Sequence, residues 1–252
     1  MMYPKDYHIH TTFSDGADTP EQVAEAAIEK GLAEIGFSDH SYISLPSEIV
    51  YWKDAAFEPL YKAEIARLQE KYREKIKISC GIEQDFFSDH AAEGFDYIIG
   101  AVHFVKAGDI LIGVDEPPDY TLKNLEYFGG DIYTFIEEYY KLLSRVVEVT
   151  RCDYIAHFDL IAKYNDGGVL FDENHPRYKR AWRAAADALL KTGKPFEINT
   201  GAMARGVKSG AYPSGEIIEY LRSRGGRFIL AGDSHRKEDL CFGFEKYEAY
   251  VR

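Results

Sequence analysis

Short apolar or β-branched runs alternate along the chain with longer amphipathic stretches. The runs at 4–9, 34–38, 77–83, 97–103, 154–158, 195–199 and 228–232 have the length of buried strands. Between them the apolar period becomes helical, at about 20–30, 56–74, 131–149, 176–192 and 214–224. The first of these helices carries signals at both ends. Thr19 offers a cap, Pro20 fits the first turn and Gly31 closes it, while Val23, Ala24, Ala27 and Ile28 mark one face. Strand and helix repeated around seven strands is the pattern of parallel βα units, which close into a barrel or open into a doubly wound sheet. No Gly-x-Gly-x-x-Gly follows the first run, so a dinucleotide-binding sheet has no support. A barrel predicts chemistry at the C-terminal ends of its strands.

The histidines fall there. His8 and His10, two apart on a strand, point to the same side, and Asp15 follows a turn that Ser14 and Gly16 can form. The next strand ends read Ser38-Asp39-His40, Gly81-Ile82-Glu83 and Val102-His103. The last three read Ala156-His157-Phe158-Asp159, Glu197-Ile198-Asn199-Thr200-Gly201 and Gly232-Asp233-Ser234-His235. Six of the eight histidines therefore stand at predicted strand ends, where hydrogen-bonded core histidines would have been scattered. The pattern reads as a polynuclear metal site. Mixed imidazole and carboxylate donors suit zinc, manganese or iron, and the lack of thiolates disfavours a structural zinc. Divalent ions about 3.5–4 Å apart can share a hydroxide and hold phosphoryl oxygens, a standard means of hydrolysing phosphate esters. Such esters resist uncatalysed hydrolysis strongly, so several cations are an apt means of stabilising the charge that develops.

Composition narrows the partners. The 252 residues allow one large α/β domain or two small ones, with 46% hydrophobic and 29% charged residues providing an ample core. No basic segment followed by an apolar one opens the chain, and no apolar run approaches the roughly 20 residues that span a bilayer, so no membrane role is expected. Cys80, Cys152 and Cys241 are scattered, and read as reduced thiols of a cytoplasmic protein. A net charge of -12 argues against a nucleic-acid partner. The one dense basic stretch, 71–77, sits at a predicted helix end, where cations offset the dipole.

In these motifs the chain resembles the PHP (polymerase and histidinol phosphatase) family over essentially its whole length, and looks most like the stand-alone L-histidinol-phosphate phosphatases of histidine biosynthesis. The resemblance implies an α/β fold, a distorted (β/α)7 barrel forming a single domain over 1–252. It implies three divalent ions, Zn, Mn or Fe. The first would be held by His8, His10, Glu83 and Asp233; Glu83 would bridge to a second with His103 and His157; the third would take Asp15, His40 and His235. The implied reaction is hydrolysis of L-histidinol phosphate to L-histidinol and phosphate, with a metal-bound hydroxide as nucleophile; from its position at the last strand end and its chemistry, Asp233 is expected to accept the proton. Arg205 matches a phosphate-binding arginine of this subfamily, with Lys208 and Arg236 as weaker alternatives, and Ser234 is a hydrogen-bond donor for the substrate.

Such a substrate also carries an ammonium and an imidazole. The stretch 104–130 is too long for an ordinary loop and is a candidate lid over the strand ends. Asp85, Asp115 and Glu116 are candidate acceptors for the amine, and Tyr42, Phe104 and Tyr127 candidate stacking groups for the ring; His90 and His175 fit no ligand position. Two other readings compete: a PHP phosphoesterase for a nucleotide or phosphotyrosine, and a non-catalytic metal-binding module. The complete set of nine ligands disfavours the second.

Overall fold

The strands of the computed structural model, which describes residues 5–44 and 56–251, run in chain order as β1 (Lys5–Asp6), β2 (Glu34–Phe37), β3 (Lys77–Asp85), β4 (Tyr97–Ala101), β5 (Phe104–Ala107), β6 (Ile110–Gly113), β7 (Tyr154–Ile155), β8 (Phe196–Asn199) and β9 (Phe228–Ala231). Seven of them form one parallel sheet in the order β1-β2-β3-β4-β7-β8-β9. Each predicted run overlaps one of these strands, β3 continuing two residues past its run to Asp85. Helices α1 (Pro20–Glu29), α2 (Phe57–Tyr72), α3 (Pro118–Asn124), α4 (Ile132–Leu143), α5 (Val146–Thr150), α6 (Pro176–Leu190), α7 (Gly201–Ala204) and α8 (Gly215–Ser223) lie between the strands. This is the distorted seven-stranded α/β barrel expected.

The sheet is bent until its two edges meet. Ser234 donates its N–H to His8 O at 3.0 Å, and His10 donates to Ser234 O at 2.9 Å, making a parallel bridge beyond the named strands. Below this seam the fully buried Asp6 carboxylate accepts the N–H groups of His8, Gly232 and Cys241 at 3.2, 2.9 and 3.2 Å. Those bonds explain why β1 ends at Asp6 and not at residue 9: the His8 N–H goes to a side chain in place of a ladder partner. Only glycine fits at 232, because a Cβ there would stand 2.1 Å from Asp6 Oδ2.

Two other expectations change. The helix read over 131–149 breaks at Ser144 and Arg145 into α4 and α5; the Ser144 hydroxyl turns back to Lys141 O at 2.7 Å. The stretch 104–130 is not one long loop. It folds as the antiparallel hairpin β5–β6 followed by α3, with Phe104 and Leu111 buried against Ile43, and Val105 and Ile112 in the main core. That core packs β7 and β8 against α4, α6 and α8, while a second packs β2 and β3 against α1 and α2. Thr19 and Gln22 make the reciprocal cap of α1. The basic stretch is neutralised locally: Lys71 pairs with Glu21, Arg73 with Glu70 and Lys77 with Glu34. No helix among the described residues is long and apolar enough to cross a membrane.

Candidate metal centre

The parallel sheet brings the C-terminal strand ends to one rim. Beyond β1 the extended chain sets His8 and His10 on one side, ring centroids 5.1 Å apart. The turn after them is tied down by Asp39, whose buried carboxylate accepts Thr11 N at 2.8 Å, Thr11 Oγ1 at 2.8 Å and Ser14 N at 3.0 Å. Gly16 donates its N–H back to Thr11 O, and a Cβ there would lie 2.5 Å from the His10 carbonyl. The close turn returns Asp15 to the rim.

Glu83, buried near the end of β3, is the hub. Its Oε1 lies 3.0 Å from His157 Nε2 and 3.4 Å from the Nε2 atoms of both His8 and His103. Its Oε2 lies 2.8 Å from His40 Nδ1 and 3.7 Å from His10 Nε2. Asp233 Oδ1 stands 3.3 Å from His10 Nε2, 3.5 Å from His235 Nδ1 and 4.0 Å from His8 Nε2. Asp15 reaches His235 at 3.1 Å and His40 at 3.6 Å. All nine ligand candidates converge. Donor atoms within 4.8 Å of one another form three groups among the described residues: His8, His10 and Asp233; His40, Glu83 and His103; and His10, Asp15, His40 and His235. His10 and His40 each belong to two of them, where the family pattern gives each to one, and His157 joins none but lies against Glu83.

The donors fit divalent cations. His8 Nε2 and both ring nitrogens of His10 are buried with no hydrogen-bond partner among the described residues. Such atoms ordinarily cost about 1–3 kcal/mol each, and here they face carboxylate oxygens. A cation is the group that satisfies an imidazole lone pair and a carboxylate together, and a set of nitrogens and oxygens without thiolates suits Zn, Mn or Fe. Burial, with His235 and His40 nearby, pushes His10 down to about 3, so it is neutral, the form that ligates. Burial opposes charge on His40 as well, but Asp15 and Glu83 carry it up to about 9. Burial would likewise raise Asp233, yet the Arg205 guanidinium and His10 hold its carboxyl well below the usual range. Asp233 also has φ 45°, a left-handed backbone uncommon outside glycine. Gly201 makes room for it, since a Cβ there would come within 2.8 Å of the Asp233 side chain.

A cavity of about 200 Å³ opens over these residues, and Asp115, Leu160, Lys163 and Arg205 complete its wall. Arg205 reaches it from the end of α7, with Nη1 at 3.1 Å from Asp233 O and Nη2 at 3.3 Å from Asp233 Oδ2. Lys163 pairs with Asp115 at 2.8 Å. Lys208 and Arg236 do not line the cavity; they are held by Asp166 and Asp239.

Ser234 needs correction as a substrate donor. Strand alternation sends Asp233 and His235 into the cluster and the buried Ser234 to the other side, its hydroxyl 3.4 Å from Asp6 Oδ2. Asp85 faces no substrate either, because its Oδ2 accepts from His103 N at 2.9 Å and lies 3.1 Å from His103 Nδ1. Glu116, Tyr42, Phe104 and Tyr127 are not among the cavity residues. His175 caps α6 and stacks on Tyr133, apart from the cluster. Sequence reasoning passed over three groups: Asp39, Lys163 and Glu197, the last 2.8 Å from His8 Nδ1. The signal for Glu197 was a carboxylate between Phe196 and Ile198 in a strand read as buried.

The family model of the PHP domain matches residues 6–201. A histidinol-phosphatase of Lactococcus lactis is 32% identical over 252 residues, covering 93% of this chain and 85% of that protein. The histidinol-phosphatase of Bacillus subtilis is 25% identical over 269 residues, with 98% of each covered. Among solved structures, histidinol phosphate phosphatase from Lactococcus lactis, complexed with zinc, L-histidinol and phosphate, superposes with a TM-score of 0.71. It is 23% identical, and the match covers 99% of this chain and 92% of that one.

Proposed function

The chain belongs to the PHP domain family, and we propose that it is a single-domain, metal-dependent phosphomonoesterase that hydrolyses L-histidinol phosphate to L-histidinol and phosphate. One observation carries the metal dependence: nine imidazole and carboxylate side chains from six strand ends gather there, His157 through Glu83, and the buried His8 Nε2 and His10 ring nitrogens among them have no hydrogen-bond partner among the described residues. The substrate follows from relatives named for this reaction along nearly the full chain. His8, His10, Glu83 and Asp233 would hold one ion, Glu83, His103 and His157 a second, and Asp15, His40 and His235 a third. Bound divalent ions lower the pKa of water towards neutrality and neutralise phosphoryl oxygens.

The remaining work belongs to side chains on the cavity wall. Arg205 presents a guanidinium fork suited to two phosphoryl oxygens, and its pairing with Asp233 already keeps that carboxylate ionised, the form that takes up a proton. The Lys163 ammonium adds positive charge on the same wall, and its partner Asp115 is an acceptor for the substrate amine. A cavity of about 200 Å³ suits a small ester, being below the roughly 300–1,000 Å³ of drug-sized sites.

The test is a substrate panel. Protein purified with Mn²⁺ or Zn²⁺ should release phosphate from L-histidinol phosphate at least about 100-fold faster, by kcat/KM, than from nucleotides or phosphotyrosine. Equal rates across the panel would refute the substrate assignment, and full activity after exhaustive chelation would refute the metal dependence.

A further inference from the structure

Two fully occupied carboxylates stand behind the cluster, each against the rear nitrogen of one histidine. Glu197 is wholly buried on β8. Its Oε1 lies 2.8 Å from His8 Nδ1, while its Oε2 accepts the His157 N–H and the Asn199 side-chain amide, each at 3.2 Å. A carboxylate only accepts, so the His8 proton sits on Nδ1 and Nε2 is left to face Glu83 and Asp233. Asp85, at the end of β3, repeats the device. Its Oδ2 takes both the backbone N–H of His103 and Nδ1 of the same ring, and its Oδ1 takes the Phe87 N–H at 2.7 Å. His103 is thereby set with Nε2 towards Glu83.

We propose that Glu197 and Asp85 are positioning residues that set the affinity of two different ions, by fixing which nitrogen His8 and His103 present. Neither touches the cavity. Each acts through one imidazole, Glu197 on the ion shared by His8, His10 and Asp233, Asp85 on the ion beside Glu83 and His103. Outer carboxylates of this type orient the ring and raise its basicity, and their loss typically lowers metal affinity 10–100-fold. Glutamine cannot replace Glu197 without conflict. If its amide oxygen accepts from His8, its NH2 faces the His157 N–H and the Asn199 amide, which are donors too. Asparagine at 85 meets the same conflict between His103 and Phe87.

The inference rests on the metal-dependent reading above, and direct metal titration separates the two. Wild type, E197Q, D85N and the double variant are stripped of metal, titrated with Zn²⁺ against a chromophoric chelator, and melted in the metal-free state. In E197Q one binding step should weaken 10–100-fold, in D85N a different step, and in the double variant both. The metal-free melting temperatures register the stability cost of the donor conflict separately, so that it is not read as lost metal affinity. Wild-type affinities in both single variants would overturn the inference while leaving the metal dependence standing, as would a loss spread equally over all steps. A wild type that binds no metal would sink both. Should E197Q not fold, D85N decides by the same criterion, since its device is independent.

Discussion

At the scale of single residues, the recurring feature is the buried carboxylate, and its surroundings differ each time. Asp39 is saturated by donors, Asp233 is ion-paired, and Glu83 is ringed by imidazoles. Asp159 is the exception. It is fully buried, with Oδ2 accepting the Ser214 N–H at 2.9 Å and Oδ1 lacking any partner among the described residues. Burial pushes it up to about 6, against a smaller opposing effect of Lys208. A folded pKa above the unfolded value means that the contribution of the neutral acid is fully present below about pH 4 and lost as pH rises through 6. D159N removes that dependence. It should match wild type near pH 4 and exceed it at pH 8 by about 3 kcal/mol, since each tenfold change in proton affinity is worth about 1.4 kcal/mol. Urea midpoints at the two pH values check this, and a constant difference between them would contradict it. The histidines were legible because each stands beside a readable strand end. Asp39 and Glu197 were not, since their roles depend on which ring or N–H lies opposite, tens of residues away.

At the scale of elements, the turn over 11–16 shows how a short segment makes a ligand position. Nothing in Thr11-Thr12-Phe13-Ser14-Asp15-Gly16 compels Asp15 to face His40 and His235; Asp39, from the end of β2, does so by gathering the Thr11 and Ser14 donors. D39A leaves several donors unpaired, at about 1–3 kcal/mol each. It should lower stability by at least about 3 kcal/mol and weaken the ion proposed at Asp15, His40 and His235 before the others proposed. Metal content after graded dialysis checks the order of loss, and simultaneous release of all ions would argue against it. The helix read across 131–149 shows where periodicity misleads. An amphipathic stripe continues through Ser144 and Arg145, but a stripe does not record a chain that stops and restarts. The 104–130 stretch misled differently, because Phe104–Ala107 and Ile110–Gly113 are too short to stand out until they pair.

At the scale of the whole molecule, closure of the sheet is what turns strand ends into a site. Ser234 bridging to His8 and His10 joins the first strand to the last, and so places Asp233 beside residues more than 200 positions earlier. The closed rim buries carboxylates beside His8 and His10 nitrogens that have no hydrogen-bond partner among the described residues, so bound metal should stabilise the fold by mass action. At about 1,000 times its dissociation constant one ion contributes about 4 kcal/mol, which for a chain of this size corresponds to about 10 °C. Chelation should lower the melting temperature by at least that much and added Zn²⁺ or Mn²⁺ restore it; an unchanged temperature would count against bound ions. The chain's alternation of strand and helix, and the residue types at its strand ends, determined the parallel βα units and the metal chemistry, because period and strand polarity are local properties. Which nitrogen each histidine presents, which way Ser234 turns, and which carboxylates hold ligands from behind were decided only by tertiary structure. Those depend on contacts between side chains far apart in sequence, formed when the sheet closes.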